Sequence, residues 1–286
     1  MIKAADSMII LDGAGEAAET RSARLGGGTL IAYTCRSPGK VTDNQDTVAA
    51  IPYGPDAAVL VVADGAGGLP AGRRASRTAV TTLEQSLQTS MSETTLLRTA
   101  ILTGIEQANK AVMEIGNGSA TTLTVVTIEG RVARSYQIGD SEAIIVGLRG
   151  KLKGQTLAHS PTGFAVEAGF LDQRAALHHE ERHLVSNLLG SNEMRIDVGA
   201  TVELSARDTI LLASDGLTDN IHVEEIVELM RKGPLDGALE ALVTLARRRM
   251  TVESKTQPSK PDDLSVILFR KSQRRKRKAA PSPAVK

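Results

Sequence analysis

With 286 residues, 41% of them apolar, the chain is long enough for one large domain or two small ones, with a core that must rely on Leu, Ile, Val and Ala because aromatics make up only 2% and Trp is absent. It holds no run of about 18 apolar residues that would cross a membrane as a helix, and its first residues lack the charged start and long apolar stretch of a secretory signal. The net charge of +1 hides an asymmetry: Arg270–Lys286 carries eight Lys and Arg, and subtracting them leaves residues 1–269 at −7.

Residues 1–24 show no firm period and read as a variable lead-in. Short β-branched runs at Thr29–Cys35 and Ala58–Ala63 predict buried strands. Ala71–Ser90 and Glu93–Ile115 predict two helices, the second closed by Gly116 and Gly118. Strand patterns follow at Thr121–Ile128, Arg131–Ile138, Glu142–Leu148 and Leu152–Leu157, separated by closely spaced turns that predict an antiparallel meander. Residues 160–195 read as irregular or helical. Strands return at Thr201–Leu204 and Thr209–Ala213, then helices near Val223–Lys232 and Leu235–Met250, and a last strand at Leu264–Phe269. Helices lying between groups of antiparallel strands define an α+β pattern. The expected division is a lead-in at 1–24, a catalytic domain at 25–270 and a basic, disordered tail at 271–286. The single cysteine, Cys35, has no partner for an internal disulfide, which suits a reducing cytoplasm, the expected location. It reads as a small strand residue rather than a nucleophile.

Five aspartates fall where strands end. They are Asp46 in Asn44-Gln45-Asp46, Asp64 in Val61–Gly68, Asp140 in Gly139-Asp140-Ser141, Asp215 in Leu211–Gly216 and Asp262 in Pro261–Val266. An aspartate just past an apolar strand projects from the sheet rim, and a following glycine such as Gly65 leaves its carbonyl open to coordinate. Carboxylates gathered at one rim repel unless a divalent cation lies among them. Hard oxygen ligands without Cys suit Mn²⁺ or Mg²⁺ better than zinc. Two such ions sharing a water would lower its pKa and direct it at phosphorus.

In order, these segments resemble the type 2C metal-dependent serine/threonine protein phosphatases (the PPM family) of bacterial type, over about residues 29–270. The matching motifs are Asn44-Gln45-Asp46, Val62–Gly68, Gly139–Ser141, Ser214–Asp219 and Asp262–Val266, with His159-Ser160-Pro161 through Leu189-Gly190 similar to the family's flap. The resemblance implies two packed antiparallel sheets flanked by helices, an α-β-β-α sandwich. It implies hydrolysis of phosphoserine and phosphothreonine on proteins by a metal-activated water, without a side-chain nucleophile. It implies that Asp64 bridges two Mn²⁺ or Mg²⁺ ions with the Gly65 carbonyl on one, that Asp215 and Asp262 complete the first and Asp46 serves the second. Asp140 with Asp215 would take a third ion. The implied partners are phosphoproteins, a kinase or its target among them.

Several features depart from that pattern or compete with it. The family's usual phosphate-gripping Arg, three residues before the first triplet, is Val41 here, leaving Lys40 or Arg36 as substitutes. That change motivates an alternative, a weak or inactive relative that binds phosphoproteins. Ala66 and Glu142 stand where relatives often carry His and Arg. His179-Glu180-Glu181-Arg182-His183 fits the H-E-x-x-H zinc-peptidase helix, a remote alternative beside a plain solvated His/Glu-rich helix. Arg73 and Arg74 read as first-turn charges, solvated or recruiting phosphate. The tail suits electrostatic contact with an acidic partner, nucleic acid or an anionic surface, or simply a solubilising end.

Overall fold

A computed structural model describes residues 8–13, 17–66, 71–252 and 257–272. The chain runs β1 (Ile9–Leu11), β2 (Glu19–Leu25), β3 (Gly28–Cys35), β4 (Asp46–Pro52) and β5 (Ala57–Ala66), then α1 (Ala71–Ser92) and α2 (Leu97–Ile115). Next come β6 (Ala120–Thr121), β7 (Leu123–Glu129), β8 (Val132–Ile138), β9 (Glu142–Val146) and β10 (Leu152–Gln155). A flap follows with α3 (Pro161–Glu167), α4 (Gln173–Ala176) and a 3-10 turn (Glu180–His183), leading to β11 (Asp197–Val198) and β12 (Val202–Glu203). The chain ends with β13 (Thr209–Ala213), α5 (Asp215–Thr218), α6 (Val223–Met230), α7 (Leu235–Thr251) and β14 (Leu264–Lys271).

The strands form two antiparallel sheets. The first runs β1-β4-β5-β7-β8-β11, with β6 on β5 and β12 on β8; the second runs β10-β9-β13-β14-β3-β2. Alternation along single strands shows how they stack. On β5, Ala58, Leu60 and Val62 join Leu212, Ile267 and Phe269 in a core between the sheets. Their neighbours Val59, Val61 and Ala63 face outward against α1 and α2. Likewise Ile210 and Leu212 of β13 face inward, while Leu211 and Ala213 pack against Ile226, Leu242 and Met250 of α6 and α7. A central strand covered on both faces must be apolar at every position, which is why these runs are continuous. The helices supply the matching stripes. Ala75, Ala79, Leu83 and Leu87 recur every fourth residue on α1, and Leu97, Ile101, Ile105, Ala108 and Val112 line α2. The result is the expected α-β-β-α sandwich. No helix of the described residues is long and apolar enough to cross a membrane.

Several expectations are corrected. The lead-in is not loose throughout: Ile9 and Leu11 of β1 are buried and pair with β4, and β2 is an edge strand on β3. Strand β4 escaped the sequence reading because Thr-Val-Ala-Ala-Ile is short and Ala-rich. The strands from Thr121 to Leu157 are not one meander. β7 and β8 lie in the first sheet and β9 and β10 in the second, so the chain changes layers at Gly139-Asp140-Ser141. Gly139 permits this with a φ of 97°, and a Cβ there would lie 2.6 Å from Thr122. Lys271 belongs to β14 and donates to the Gly26 carbonyl at 2.7 Å, so it is not the start of a tail. Residues 273–286, which carry most of the basic run, lie outside the described residues, as do Gly67 and Gly68.

Candidate metal centre and active site

The five strand-end aspartates meet at one rim of the sandwich. Asp46 opens β4 and stands directly opposite Asp64 of β5 in the ladder. Asp215 follows β13 as the first residue of α5, and Asp262 precedes β14, the strand that pairs with β13. Asp140 sits in the passage between the sheets, and His159, at the start of the flap, holds that passage. Its N–H donates to the Gly139 carbonyl at 2.9 Å and its Nδ1 accepts from the Gly139 N–H at 3.2 Å. Close backbone approach gathers the rim. A Cβ on Gly216 would come within 1.9 Å of the Asp263 carbonyl, and one on Gly65 within 2.1 Å of the Gly72 carbonyl at the start of α1.

A chain of hydrogen bonds fixes Asp46 between the two sheets. Ser214 Oγ donates to Asp46 Oδ2 at 2.8 Å and accepts the Ser265 N–H at 3.0 Å. Asn44 Oδ1 accepts the Asp46 N–H at 2.9 Å, and Asn44 Nδ2 donates to Thr34 Oγ1 at 2.6 Å. Asp46 Oδ1, in contrast, is buried without a donor among the described residues, and so is Asp215 Oδ1. Buried acceptors left unpaired are costly, and a cation beside these two oxygens would offset that cost.

The electrostatics agree. Burial pushes Asp46 up to about 8, with the Asp263 charge adding to it. Burial raises Asp64 well above the carboxylate range, helped by the charges of Asp46, Asp215, Asp262 and Asp140. Asp140 is raised by burial and then by Asp215 and Asp219. Asp262 rises to about 7 and Asp219 to about 6, in both cases by burial and then by Asp215. A bound divalent cation reverses that cost. The donor set is all carboxylate, and it fits Mn²⁺ or Mg²⁺. The cage is not drawn tight beforehand: among the described residues no three carboxylate, His or Cys groups are already gathered at ligand distance.

Lys260 lies among these acids, a residue the sequence reading missed. Its Nζ contacts Asp215 Oδ2, Asp219 Oδ2 at 2.9 Å and Asp262 Oδ2 at 3.6 Å. Burial opposes its charge, but the pull of Asp215 and Asp219 outweighs this and raises its pKa above the ordinary lysine value. Between the rim and the flap opens a cavity of about 530 Å³, lined by Asp140, Glu142, Asp215 and Asp219 and by Arg174 and Arg182 of the flap. Glu142 is held by Gln155 Nε2 at 2.8 Å, and burial raises it to about 7.

The candidate phosphate ligands stand elsewhere. Lys40 Nζ is bound to Asp263 Oδ2 at 2.5 Å and to Gln45 Oε1 at 3.3 Å, so its charge is already answered. Asp263 also accepts the Ser37 and Gln45 N–H groups, each at 2.8 Å, tying the 36–45 loop to β14. Arg36 is half-buried just past β3, and Val41 is 90% exposed. Arg73 pairs with Asp43 at 2.5 Å. The H-E-x-x-H segment is no α-helix. His179 caps a 3-10 turn, its Nδ1 accepting the Glu181 N–H at 3.1 Å, and at three residues per turn His179 and His183 do not share a face. The zinc-peptidase reading therefore falls.

The two-sheet sandwich thus carries a cluster of carboxylates along one rim with a flap beside it, the frame of a metal-dependent phosphatase. Residues 39–252 match the family described as Protein phosphatase 2C, and the chain belongs to this family of protein serine/threonine phosphatases. It is similar to the protein phosphatase PhpP of Streptococcus pneumoniae, 32% identical over 216 residues, covering 72% of this chain and 87% of that one. It is 28% identical over 202 residues to the serine/threonine phosphatase stp of Listeria monocytogenes, covering 66% of this chain and 78% of that one. Among solved structures, the serine/threonine phosphatase PstP/Ppp of Mycobacterium tuberculosis superposes with a TM-score of 0.70 at 25% identity, over 85% of this chain and 98% of that one. The PstP catalytic domain in complex with two manganese ions gives a TM-score of 0.64 at 25% identity, over 89% of this chain and 99% of that domain.

Proposed function

We propose that the carboxylate rim is the catalytic centre, with Asp46, Asp64, Asp215 and Asp262 holding two divalent ions, Mn²⁺ or Mg²⁺, beside the Gly65 carbonyl. Bound there, such ions supply Lewis acidity and a water of lowered pKa for direct attack on a phosphoserine or phosphothreonine phosphorus. The observation that carries this reading is the pair of buried, unpartnered oxygens, Asp46 Oδ1 and Asp215 Oδ1. Ser214 orients Asp46 by occupying its Oδ2, so that Oδ1 faces the ions. Ser214 is committed there and Cys35 is buried in the apolar layer outside the second sheet, so neither serves as a nucleophile. The cavity under the flap is the place for the phosphorylated segment of a protein, a kinase or its target being the inferred substrate. The lone, buried Cys35 suits a reducing cytoplasm.

The test is hydrolysis of p-nitrophenyl phosphate and a phosphothreonine peptide with Mn²⁺, with Mg²⁺ and with EDTA. Release that needs the metal and disappears in Asp64→Asn supports the reading. A folded protein inactive under every metal overturns it. That outcome would favour the alternative of a phosphoprotein-binding relative, which the exposed Val41 and the engagement of Lys40 by Asp263 motivate.

A further inference from the structure

We propose that Lys260 is a built-in cation of this centre, its ammonium standing where a third divalent ion would otherwise join Asp140 and Asp215, so that the chain binds two metal ions and not three. The inference rests on the reading of the rim as a metal centre.

The lysine is placed rather than merely nearby. Its backbone is clamped by one fully buried side chain: Asn220 Oδ1 accepts the Lys260 N–H and Asn220 Nδ2 donates to the Lys260 carbonyl, each at 2.8 Å. Pro261 holds the preceding residue to extended geometry. One residue earlier, the Ser259 carbonyl accepts from Arg182 of the flap at 2.8 Å and Ser259 Oγ donates to the Arg249 carbonyl at 2.7 Å. The side chain is 19% exposed and reaches three carboxylates at once. An ammonium fixed this way is present whatever the metal supply.

Division of labour at Asp215 allows the ammonium and the metals to coexist. Oδ2 of Asp215 takes Lys260, while Oδ1 stays buried without a donor among the described residues. One carboxylate can therefore serve the lysine on one side and a metal ion on the other. Asp46 is divided in the same way, with Oδ2 on Ser214 and Oδ1 unpartnered. On the lysine side lie Asp219, 2.9 Å from the ammonium and also within the field of Arg182 of the flap, and Asp140, whose carboxyl feels the lysine's charge. A single ammonium there neutralises part of the charge that a divalent ion would otherwise be drawn to.

Metal-stripped protein titrated with Mn²⁺ in a calorimeter decides the matter, because it counts ions without reference to turnover. Two ions are expected for the natural chain, three for Lys260→Met, two for Lys260→Arg, and two again for Lys260→Met combined with Asp140→Asn. The stripped Lys260→Met protein should also melt at lower temperature than the stripped natural chain at pH 8, with Mn²⁺ closing the gap. Three ions on the natural chain, or an unchanged count in Lys260→Met, overturns the proposal while leaving the metal centre intact. Should Lys260→Met not fold, Lys260→Gln takes its place, and the count on the natural chain stands as a test by itself. A natural chain that binds no Mn²⁺ at all overturns the metal centre and this proposal with it.

Discussion

Asp46 and Asp64 face each other as direct partners across the β4–β5 ladder, one carboxylate fully buried and the other half-buried, on adjacent strands. Like charges directly opposite in an antiparallel pair destabilise the sheet, so the pairing works against the fold unless a cation lies between them. Above about pH 8, where Asp46 carries its charge, Asp46→Asn should therefore stabilise the metal-free protein by up to about 1 kcal/mol, since the amide can keep the Ser214 hydrogen bond. The same change should lower Mn²⁺-dependent turnover by more than about 100-fold, the upper range for disturbing a metal's surroundings. Thermal melts with and without EDTA, beside phosphopeptide kinetics, read both effects; a less stable apoprotein would contradict the account.

The raised carboxylates make metal-free stability depend on pH. Each binds its proton more tightly folded than unfolded, so its contribution is present in full below about pH 4, the ordinary aspartate range. It is lost as pH rises through about 6 at Asp219, about 7 at Asp262 and about 8 at Asp46. With EDTA present, the melting temperature should fall steadily between pH 5 and pH 8. Saturating Mn²⁺ should flatten or reverse that slope, because the metal binds the deprotonated ligands. A flat profile in EDTA would show that the acids are not crowded as described.

Lys40 and Asp263 form a largely buried ion pair, the lysine side chain 22% exposed and the aspartate 3%. Removing the lysine leaves Asp263 with its two backbone donors but without a counter-charge. Lys40→Ala should cost roughly 2 kcal/mol in urea unfolding, below the usual 3–5 for a fully buried pair because the lysine keeps some water. Lys40→Ala with Asp263→Asn should recover most of the loss. If Lys40 instead grips substrate phosphate, the single variant would raise KM with unchanged stability.

Ser214 links the sheets through Asp46 and the Ser265 N–H. Ser214→Ala should weaken Mn²⁺ binding by about 10–100-fold, as loss of a ligand-orienting partner does. Stability should fall by about 1–3 kcal/mol, the cost of a stranded buried donor. Calorimetric titration and thermal melts separate the two, and Mn²⁺ binding unchanged in Ser214→Ala would remove the orienting role.

Much of the fold was legible because period and length are local properties. The continuous apolar runs of β5 and β13 announced strands buried on both faces, and the four-residue spacing of α1 announced its packed face. The layer change between β8 and β9 was hidden, since a turn joining two strands of one sheet reads much like one crossing between two. The H-E-x-x-H segment misled for the complementary reason: a residue pattern specifies a helix face only if the backbone is helical there, and here it makes a single 3-10 turn.

The sequence by itself determined the class of chemistry. Five strand-end aspartates in order, three of them (Asp64, Asp140 and Asp215) next to a glycine, offer oxygen donors whose hardness and charge depend on residue type alone. Which charges meet which was decided by the tertiary structure. Lys40 went to Asp263, 223 residues away, and Lys260 to Asp215 and Asp219, 45 and 41 positions earlier. Coulomb energy depends on distance and burial, and neither is set until the two sheets pack.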